Sequence, residues 1–556
     1  MQPLPTLKQC LLDTEVVRLR LIARLWGLEV TAGSALDMAE ELTRALADPQ
    51  HAADVWQSLP EIEREALTAL IEAGGRMPAA AFKRRFGEIR PMGPGRLERE
   101  APWRNPASAT EGLWYRGLLY VGFDEIENGT YPIVFVPEEL QAVLPVEVEP
   151  AAEAIQVPAT EPPGFASFDG DMLLHDVTTA LAFVHNQVVR LQGDARTEWP
   201  ERAVQSLAEQ LRDANWERQV FMLHLIDALG WTRLAERDRL RLVAEPVTTW
   251  LRQSIDESRQ ALVRGWLAMM HWNELWRLTQ LRPEATGNWH TDPTLARNAF
   301  MRHLDTLPPG QWVRIDEFCA AIKSVDPDFL RPDGDYEAWY VQDSQTGAYL
   351  KGFESWDAVE GQLLHVLLVG PARWLGLVEL GGDVDDPEPD AFRVKAFTLS
   401  PPELPAPVVR PDLTVTLPAD RRYERFQLAR IAELEQADET FRYRITPAAL
   451  ERARRQHIQV EKALDFLEEL SEEPLPAPVR ASLLRWQERG TEAWLERKLV
   501  LRVAAETTMQ QIMATSKASR HIKQLLTPTL ALVEEEDWSP LVGALAEMGL
   551  LAEVEI

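Results

Sequence analysis

Residues 119–137 read "LYVGFDEIENGTYPIVFVP", an alternation of apolar and polar side chains on both sides of Asn128-Gly129. Asn-Gly supplies the positive-φ positions of a tight hairpin turn, so the flanks are expected to pair as antiparallel strands. What precedes the hairpin decides what it belongs to. "PEIEREALTALIEAGG" (60–75) is an amphipathic helix stopped by a double glycine, and "RMP" (76–78) is a minimal strand. "AAAFKRRFG" (79–87) is a second helix and "TEGLWYRGL" (110–118) the end of a third. Three helices followed by a two-stranded hairpin is the order of a winged helix, expected over 59–144.

Outward from this block the chain is read in segments. Residues 1–58 form an N-terminal helical segment: Leu19, Ile22, Ala23 and Trp26 recur at helical spacing, and Ser34 caps "SALDMAEELTRAL". Residues 145–164, rich in proline and glutamate without periodicity, read as an extended linker. From 165 to 290 a domain helical throughout is expected, with Trp250, Trp266, Trp272 and Trp276 spent on helix packing. Over 291–400 the winged-helix order returns. Helix "LARNAFMRHLDTL", strand "QWVRI", helix "DEFCAAIKSV" and helix "SWDAVEGQLLHVLLVG" precede the hairpin strands "WLGLVEL" and "AFRVKAFTLS", with Ser355 read as a cap.

A proline cluster, "SPPELPAPVVRP" (400–411), marks the last boundary. Beyond it, over 401–490, "DLTVTL" and "FRYRIT" alternate with period two and Thr446-Pro447 opens a helix, with proline where its missing N–H costs nothing. Residues 491–556 read as a C-terminal α/β unit. The fold class expected is mainly α with small α+β parts: tandem winged-helix domains, a helical middle region and a C-terminal mixed α/β domain.

Composition narrows the function classes. With 46% hydrophobic and 26% charged residues, most of the 556-residue chain has enough apolar surface to fold into several cores. Cys10 and Cys319 lie far apart, which fits a reducing compartment, and no signal peptide or 18-residue apolar run is present, so a cytoplasmic, non-membrane protein is expected. The net charge of −29 speaks against indiscriminate nucleic-acid binding, because phosphate contacts need clustered Lys and Arg.

The stretch from Val408 to Trp486 resembles the amino-terminal accessory domain of XPB-type repair helicases and the bacterial helicase-associated proteins that carry it. The matching residues are "RPDLTVTLP", "YRITPAALERAR", "VEKALDFLEEL" and "PLPAPVRASLLRW". "GFESWDAVEGQLLHVLLVGPARWLGLVEL" is more weakly similar to the winged helix that precedes this domain in those bacterial proteins. The first sixty residues read as an ordinary helical hairpin, with a resemblance to SAP-type and Rho-amino-terminal nucleic-acid modules as the alternative. The resemblance implies an accessory role beside a helicase. The motor itself is missing, since no Gly-Lys-Ser or Gly-Lys-Thr occurs to close a phosphate-cradling loop.

Enzymatic chemistry is not visible, so no cofactor and no catalytic residue is called. No H-E-x-x-H or C-x-x-C supplies zinc ligands, and His271 with Glu274 lacks the further carboxylates of a di-iron bundle. Two acidic loops, Asp326/Asp328/Asp333/Asp335 and Asp383/Asp385/Asp386/Asp390, lack EF-hand spacing and read as solvated turns. Pro411-Asp412 and Glu496-x-Lys498 are too far apart to be read as a nuclease pair.

One local charge anomaly stands out. Between 81 and 116 lie Lys83, Arg84, Arg85, Arg90, Arg96, Arg99, Arg104 and Arg116 against Glu88, Glu98, Glu100 and Glu111, eight cations to four anions, with Trp103, Trp114 and Tyr115 interleaved. In a winged helix the third helix enters a major groove while neighbouring cations hold phosphates. Lys83, Arg84, Arg85, Arg90, Arg96, Arg99 and Arg104 are therefore the candidate DNA-binding residues, in DNA repair or transcription-related transactions. The alternative is an acidic interaction scaffold that docks a separate helicase or nuclease protein without touching DNA, the use expected of the acidic helix from Ser355.

Overall fold

The computed structural model describes residues 4–29, 33–126, 129–146, 155–191, 198–284, 291–384, 388–395, 405–471, 473–495 and 498–554. The chain divides into two compact units, one of residues 1–408 with 415–444 and one of 409–414 with 445–556. The protein is predominantly helical, 50% helix against 15% strand, and the strands form several small separate sheets. No helix among the described residues is long and apolar enough to cross a membrane.

The first unit opens with helices α1 (Leu7–Leu12), α2 (Val16–Leu25), α3 (Ala35–Leu46) and α4 (Pro49–Ser58). Ser34 caps α3 as expected, accepting from the Asp37 N–H, and Asp48 caps α4. Next come α5 (Glu61–Glu72), strand β1 (Arg76–Pro78), α6 (Ala79–Phe86), α7 (Pro94–Glu100) and α8 (Ala109–Tyr115). The hairpin β2 (Tyr120–Ile126) and β3 (Gly129–Phe135) and the short α9 (Glu138–Gln141) close the series. The hairpin pairs from Tyr120 with Phe135 to Ile126 with Gly129; Asn128 lies outside the described residues. The sheet order is β1-β3-β2, which leaves β2 on an edge. Gly74 and Gly75 both take positive φ (+81° and +80°), which is how the double glycine ends α5 and turns the chain into β1.

One apolar cluster runs from Leu7 through Leu42, Leu67, Phe82, Leu113 and Phe135 to Leu144, so residues on both sides of position 58 share a core. α7 is an addition to the expected order: Leu97 on it packs with Leu21 and Tyr115 in a second, small cluster.

The expectation of a middle region helical throughout is corrected. β4 (Phe165–Ser167), α10 (Met172–Asn186), α11 (Glu201–Ala208) and α12 (Trp216–Ala228) lead into a hairpin, β5 (Thr232–Ala235) and β6 (Arg239–Leu242). α13 (Ala244–Arg252), α14 (Ile255–Leu267) and β7 (Leu281–Pro283) follow. Trp250, Trp266 and Trp272 are buried as expected of packing residues, but Trp276 is 43% exposed. The described end of the proline-rich segment is tied down: Ile155 is buried, and the Thr160 N–H donates to the Trp312 carbonyl.

After α15 (Pro293–Leu304), β8 (Trp312–Arg314), α16 (Ile315–Val325) and β9 (Val341–Asp343), the chain enters a helix whose α-helical centre is α17 (Gln362–Leu367). π-helical turns flank it, Asp357–Gly361 before and Leu368–Ala372 after. Ser355 does not cap it; its hydroxyl donates to the Lys351 carbonyl from a 3₁₀ turn. β10 (Val378–Gly382) and β11 (Ala391–Val394) form the hairpin of a sheet ordered β4-β10-β11-β8, so Phe165–Ser167 adds an edge strand to it.

Strand β12 (Val408–Val409) falls where the chain passes from one unit to the other. From Val415 the first unit resumes, with β13 (Thr414–Pro418), α18 (Arg422–Leu428), β14 (Glu433–Ala437) and β15 (Thr440–Arg444), β15 lying between β13 and β14. The second unit holds α19 (Pro447–Arg455), α20 (Val460–Leu470) and α21 (Ala477–Arg489), then β16 (Leu499–Arg502), α22 (Glu506–Ala514) and α23 (Ser516–Ser519). β17 (Ile522–Thr527), β18 (Leu530–Val533) and α24 (Trp538–Glu547) complete it. Thr446 caps α19 with Pro447 at the first helical position, and the sheet β16-β18-β17 closes on a core of Ile512, Val533, Leu541 and Leu545.

Candidate nucleic-acid interface

The helix expected to enter a groove is not available to do so. Ala109, Thr110, Glu111, Gly112, Leu113 and Tyr115 of α8 are all buried, and only Trp114 is partly exposed. Two neighbours cover it. α2 lays Arg18 over the Trp114 ring at 3.9 Å, its Nη2 donating to the Trp114 carbonyl at 2.8 Å, and α7 closes the side of Tyr115 through Leu97. Trp103 packs against the same small cluster, so the interleaved aromatics are core residues rather than stacking platforms.

Four of the seven candidate cations are held by carboxylates. Lys83 pairs with Glu88 at 2.5 Å and Arg96 with Glu100 at 2.8 Å, both at well-exposed positions where such pairs exchange readily with solvent. Arg90 is gripped more firmly, donating through Nε and Nη2 to the two oxygens of Glu111 at 2.8 and 2.6 Å. Burial pushes the Glu111 carboxyl up, but the bonds from Arg90 and the Ala107 N–H outweigh it and leave it below its ordinary value. Arg84 reaches furthest: its Nη2 donates to both oxygens of Asp328 at 2.8 Å, and its guanidinium lies over Phe353 at 4.6 Å and Tyr336 at 5.1 Å. The backbone there is close as well, since a Cβ on Gly334 would meet the Ala81 nitrogen at 2.9 Å.

Arg85, Arg99 and Arg104 are the remainder. All three are exposed and make no ion pair among the described residues; Arg85 lies over the Phe86 ring at 4.9 Å. Arg116, the eighth cation of the segment, is bonded to Glu63 at 2.9 Å, a carboxyl that burial raises above its ordinary value despite that partner.

The acidic helix after Ser355 presents only one of its two carboxylates, that of Asp357. Glu360 is buried and takes the Arg331 Nε at 2.6 Å, while Asp357 takes Lys323. Within the acidic loops Asp326 pairs with Arg302 and His303, Asp328 with Arg84 and Asp390 with Arg314, while Asp333 and Asp335 accept backbone N–H groups. Asp385, Asp386 and Glu496 lie outside the described residues. No group of three or more His, Cys, Asp or Glu that could hold a metal occurs among the described residues, and Glu274 is bonded to Arg297 and Trp266.

Residues 408–526 match the model of the helicase conserved C-terminal domain. The match spans β12 to all but the last residue of β17, about a fifth of the chain. It corrects the resemblance read from "RPDLTVTLP" and "YRITPAALERAR". These residues belong to a helicase C-terminal domain near the carboxyl end of this chain, not to an amino-terminal accessory domain of XPB-type helicases. Short strand, cap and helix signatures fix local structure and do not say which helicase region they come from. No curated protein matches the chain. A helicase-associated region joined to a chain without a phosphate-cradling loop is consistent with a non-catalytic accessory role.

A further set of cations lies outside the 81–116 segment. Arg233, Arg239 and Arg241 sit in the unforeseen β5–β6 hairpin, and their period-two spacing in "TRLAERDRLRL" (232–242) was the signal.

Proposed function

We propose that this protein is a non-catalytic accessory factor of helicase-dependent DNA transactions, and that its amino-terminal block, read as a winged helix from the order α5, β1, α6, α8, β2, β3, holds DNA by phosphate contacts alone. The observation that carries the reading is the helicase C-terminal-domain match on a chain with no phosphate-cradling loop. Arg85, Arg99 and Arg104 supply the free charge, with Lys83 and Arg96 able to exchange their exposed carboxylates for phosphate. Because α8 is buried, base readout is not part of the proposal, and binding is sequence-independent and steeply salt dependent.

The test is fluorescence anisotropy of a labelled duplex with the Arg85→Glu/Arg99→Glu/Arg104→Glu variant of the full chain. Affinity is expected to fall on the order of tenfold or more at low salt with an unchanged circular dichroism spectrum. Undiminished binding removes the amino-terminal block from the DNA interface.

A second reading, a scaffold that docks a separate helicase or nuclease, is favoured by the pairing of Arg84 and Arg90 and by Phe123. That side chain is 71% exposed on the edge strand β2 beside exposed Val121. Loss of partner co-purification in Phe123→Ser, with DNA affinity intact, supports it.

A further inference from the structure

The β5–β6 hairpin has two unlike faces. Arg233 is directly opposite Arg241, and Leu234 directly opposite Leu240. Directly opposed residues of an antiparallel pair share a face, as do residues two apart on one strand. Leu240 and Thr232 are buried on one side, so Arg233, Arg239 and Arg241 leave from the other. A third segment completes the strip. Arg190 bridges antiparallel to Arg239, framed by the Leu240 N–H donating to the Val189 carbonyl at 2.9 Å and the Leu191 N–H donating to the Asp238 carbonyl at 3.0 Å.

The four guanidiniums therefore form a diagonal track: Arg190 beside Arg239, Arg239 two residues from Arg241, Arg241 beside Arg233. None of them makes an ion pair among the described residues, in a chain with 87 acidic side chains to offer. Like charges placed directly opposite each other oppose sheet formation. Burial, then Arg241 and Arg190, push the Arg239 guanidinium below its ordinary value, and its Nε is buried with no hydrogen-bond partner. An arrangement that costs stability in the free protein and leaves donors unmet calls for an anion.

We propose that this face binds the phosphodiester backbone of a nucleic-acid strand, the Arg190–Arg239 and Arg233–Arg241 pairs each taking one of two neighbouring phosphates. A single phosphate would need all four donors at one point; these are spread along a strip, with Arg239 and Arg241 about 6.8 Å apart at the backbone. That step suits the repeat of a polyanion, and the guanidinium fork matches phosphate oxygens in pairs. This site is separate from the amino-terminal cations, so either can fail without the other.

The experiment is anisotropy of fluorescein-labelled single-stranded and duplex oligonucleotides over a salt series. It compares the wild-type full chain with Arg233→Ala/Arg241→Ala and Arg233→Lys/Arg241→Lys. For the alanine pair, affinity is expected to fall by on the order of tenfold. The slope of log K against log salt is expected to flatten by about 0.7 on single strands or about 0.9 on duplex, one phosphate contact's worth. Lysine keeps the charge and is expected to keep the slope. Both arginines point away from the core, so the melting temperature serves as the control for folding. An unchanged slope in the alanine pair, equal loss in the lysine pair, equal displacement by polyglutamate, or no wild-type binding to either oligonucleotide each overturns the proposal. If Arg85→Glu/Arg99→Glu/Arg104→Glu alone loses binding, this proposal fails while the amino-terminal reading stands; if the alanine pair alone does, the reverse holds.

Discussion

Single side chains in this protein are claimed by partners far away in sequence, and the buried pair Arg331–Glu360 is the sharpest case. Neither side chain is exposed, Nε donates to Oε1 at 2.6 Å, and the guanidinium is covered by Trp339 at 4.1 Å and Tyr336 at 4.4 Å. Removing one member strands the other's charge in a dry site. Glu360→Ala is expected to cost about 3–5 kcal/mol in urea unfolding, whereas Arg331→Met/Glu360→Leu together are expected to recover most of it. A loss below 1 kcal/mol in the single variant would show that water reaches the site. The same principle limits what the cation cluster could reveal. Counting charges between 81 and 116 located every candidate residue, but the capture of Arg84 by Asp328, 244 positions away, is set by tertiary packing and leaves no trace in local composition.

At the scale of elements, what was legible followed from backbone chemistry. The double-glycine stop and the caps Ser34 and Thr446 are local devices, and each sits where its residues place it; the hairpin forms at the expected place, but Gly129 is already on β3, paired with Ile126. β5 and β6 were missed because they are four residues each, embedded among helices whose periodicity dominates any wider window. α8 was recognised as a helix, but its burial depends on α2 and α7, which nothing in its own seven residues announces. Its contact with α5 is equally close: a Cβ on Gly112 would lie 2.1 Å from the Glu63 carboxylate that holds Arg116. Gly112→Ala is thus expected to destabilise by about 1–3 kcal/mol, by forcing that buried carboxylate aside. Thermal unfolding checks it, and the added Glu63→Ala is expected to relieve the clash. Should Gly112→Ala melt at the wild-type temperature, the approach of α5 and α8 is looser than described.

At the scale of the whole molecule, the question is which parts stand alone. The apolar cluster of the amino-terminal block begins at Leu4 and ends at Val146, drawing on helices α1 to α6, α8 and α9 and the β1-β3-β2 sheet, and none of its members comes from later in the chain. A core that closes on itself within about 140 residues is of ordinary single-domain size, large enough to fold without disulfide or metal. Residues 1–146 carry 15 basic and 21 acidic side chains, so the fragment would also leave behind most of the charge of −29. What it gives up is the Arg84–Asp328 pair, partly exposed on both sides, and the cover of Tyr336 and Phe353 over that guanidinium. The fragment 1–146 is accordingly expected to be monomeric and to unfold in one cooperative thermal transition, with near-ultraviolet dichroism showing fixed aromatic packing around Trp26, Tyr115 and Tyr120. A broad, non-cooperative melt with dye-binding apolar surface would mean that this core needs the rest of the first unit to hold its shape. The buttress at Asp328 would then be a folding contact rather than a surface one.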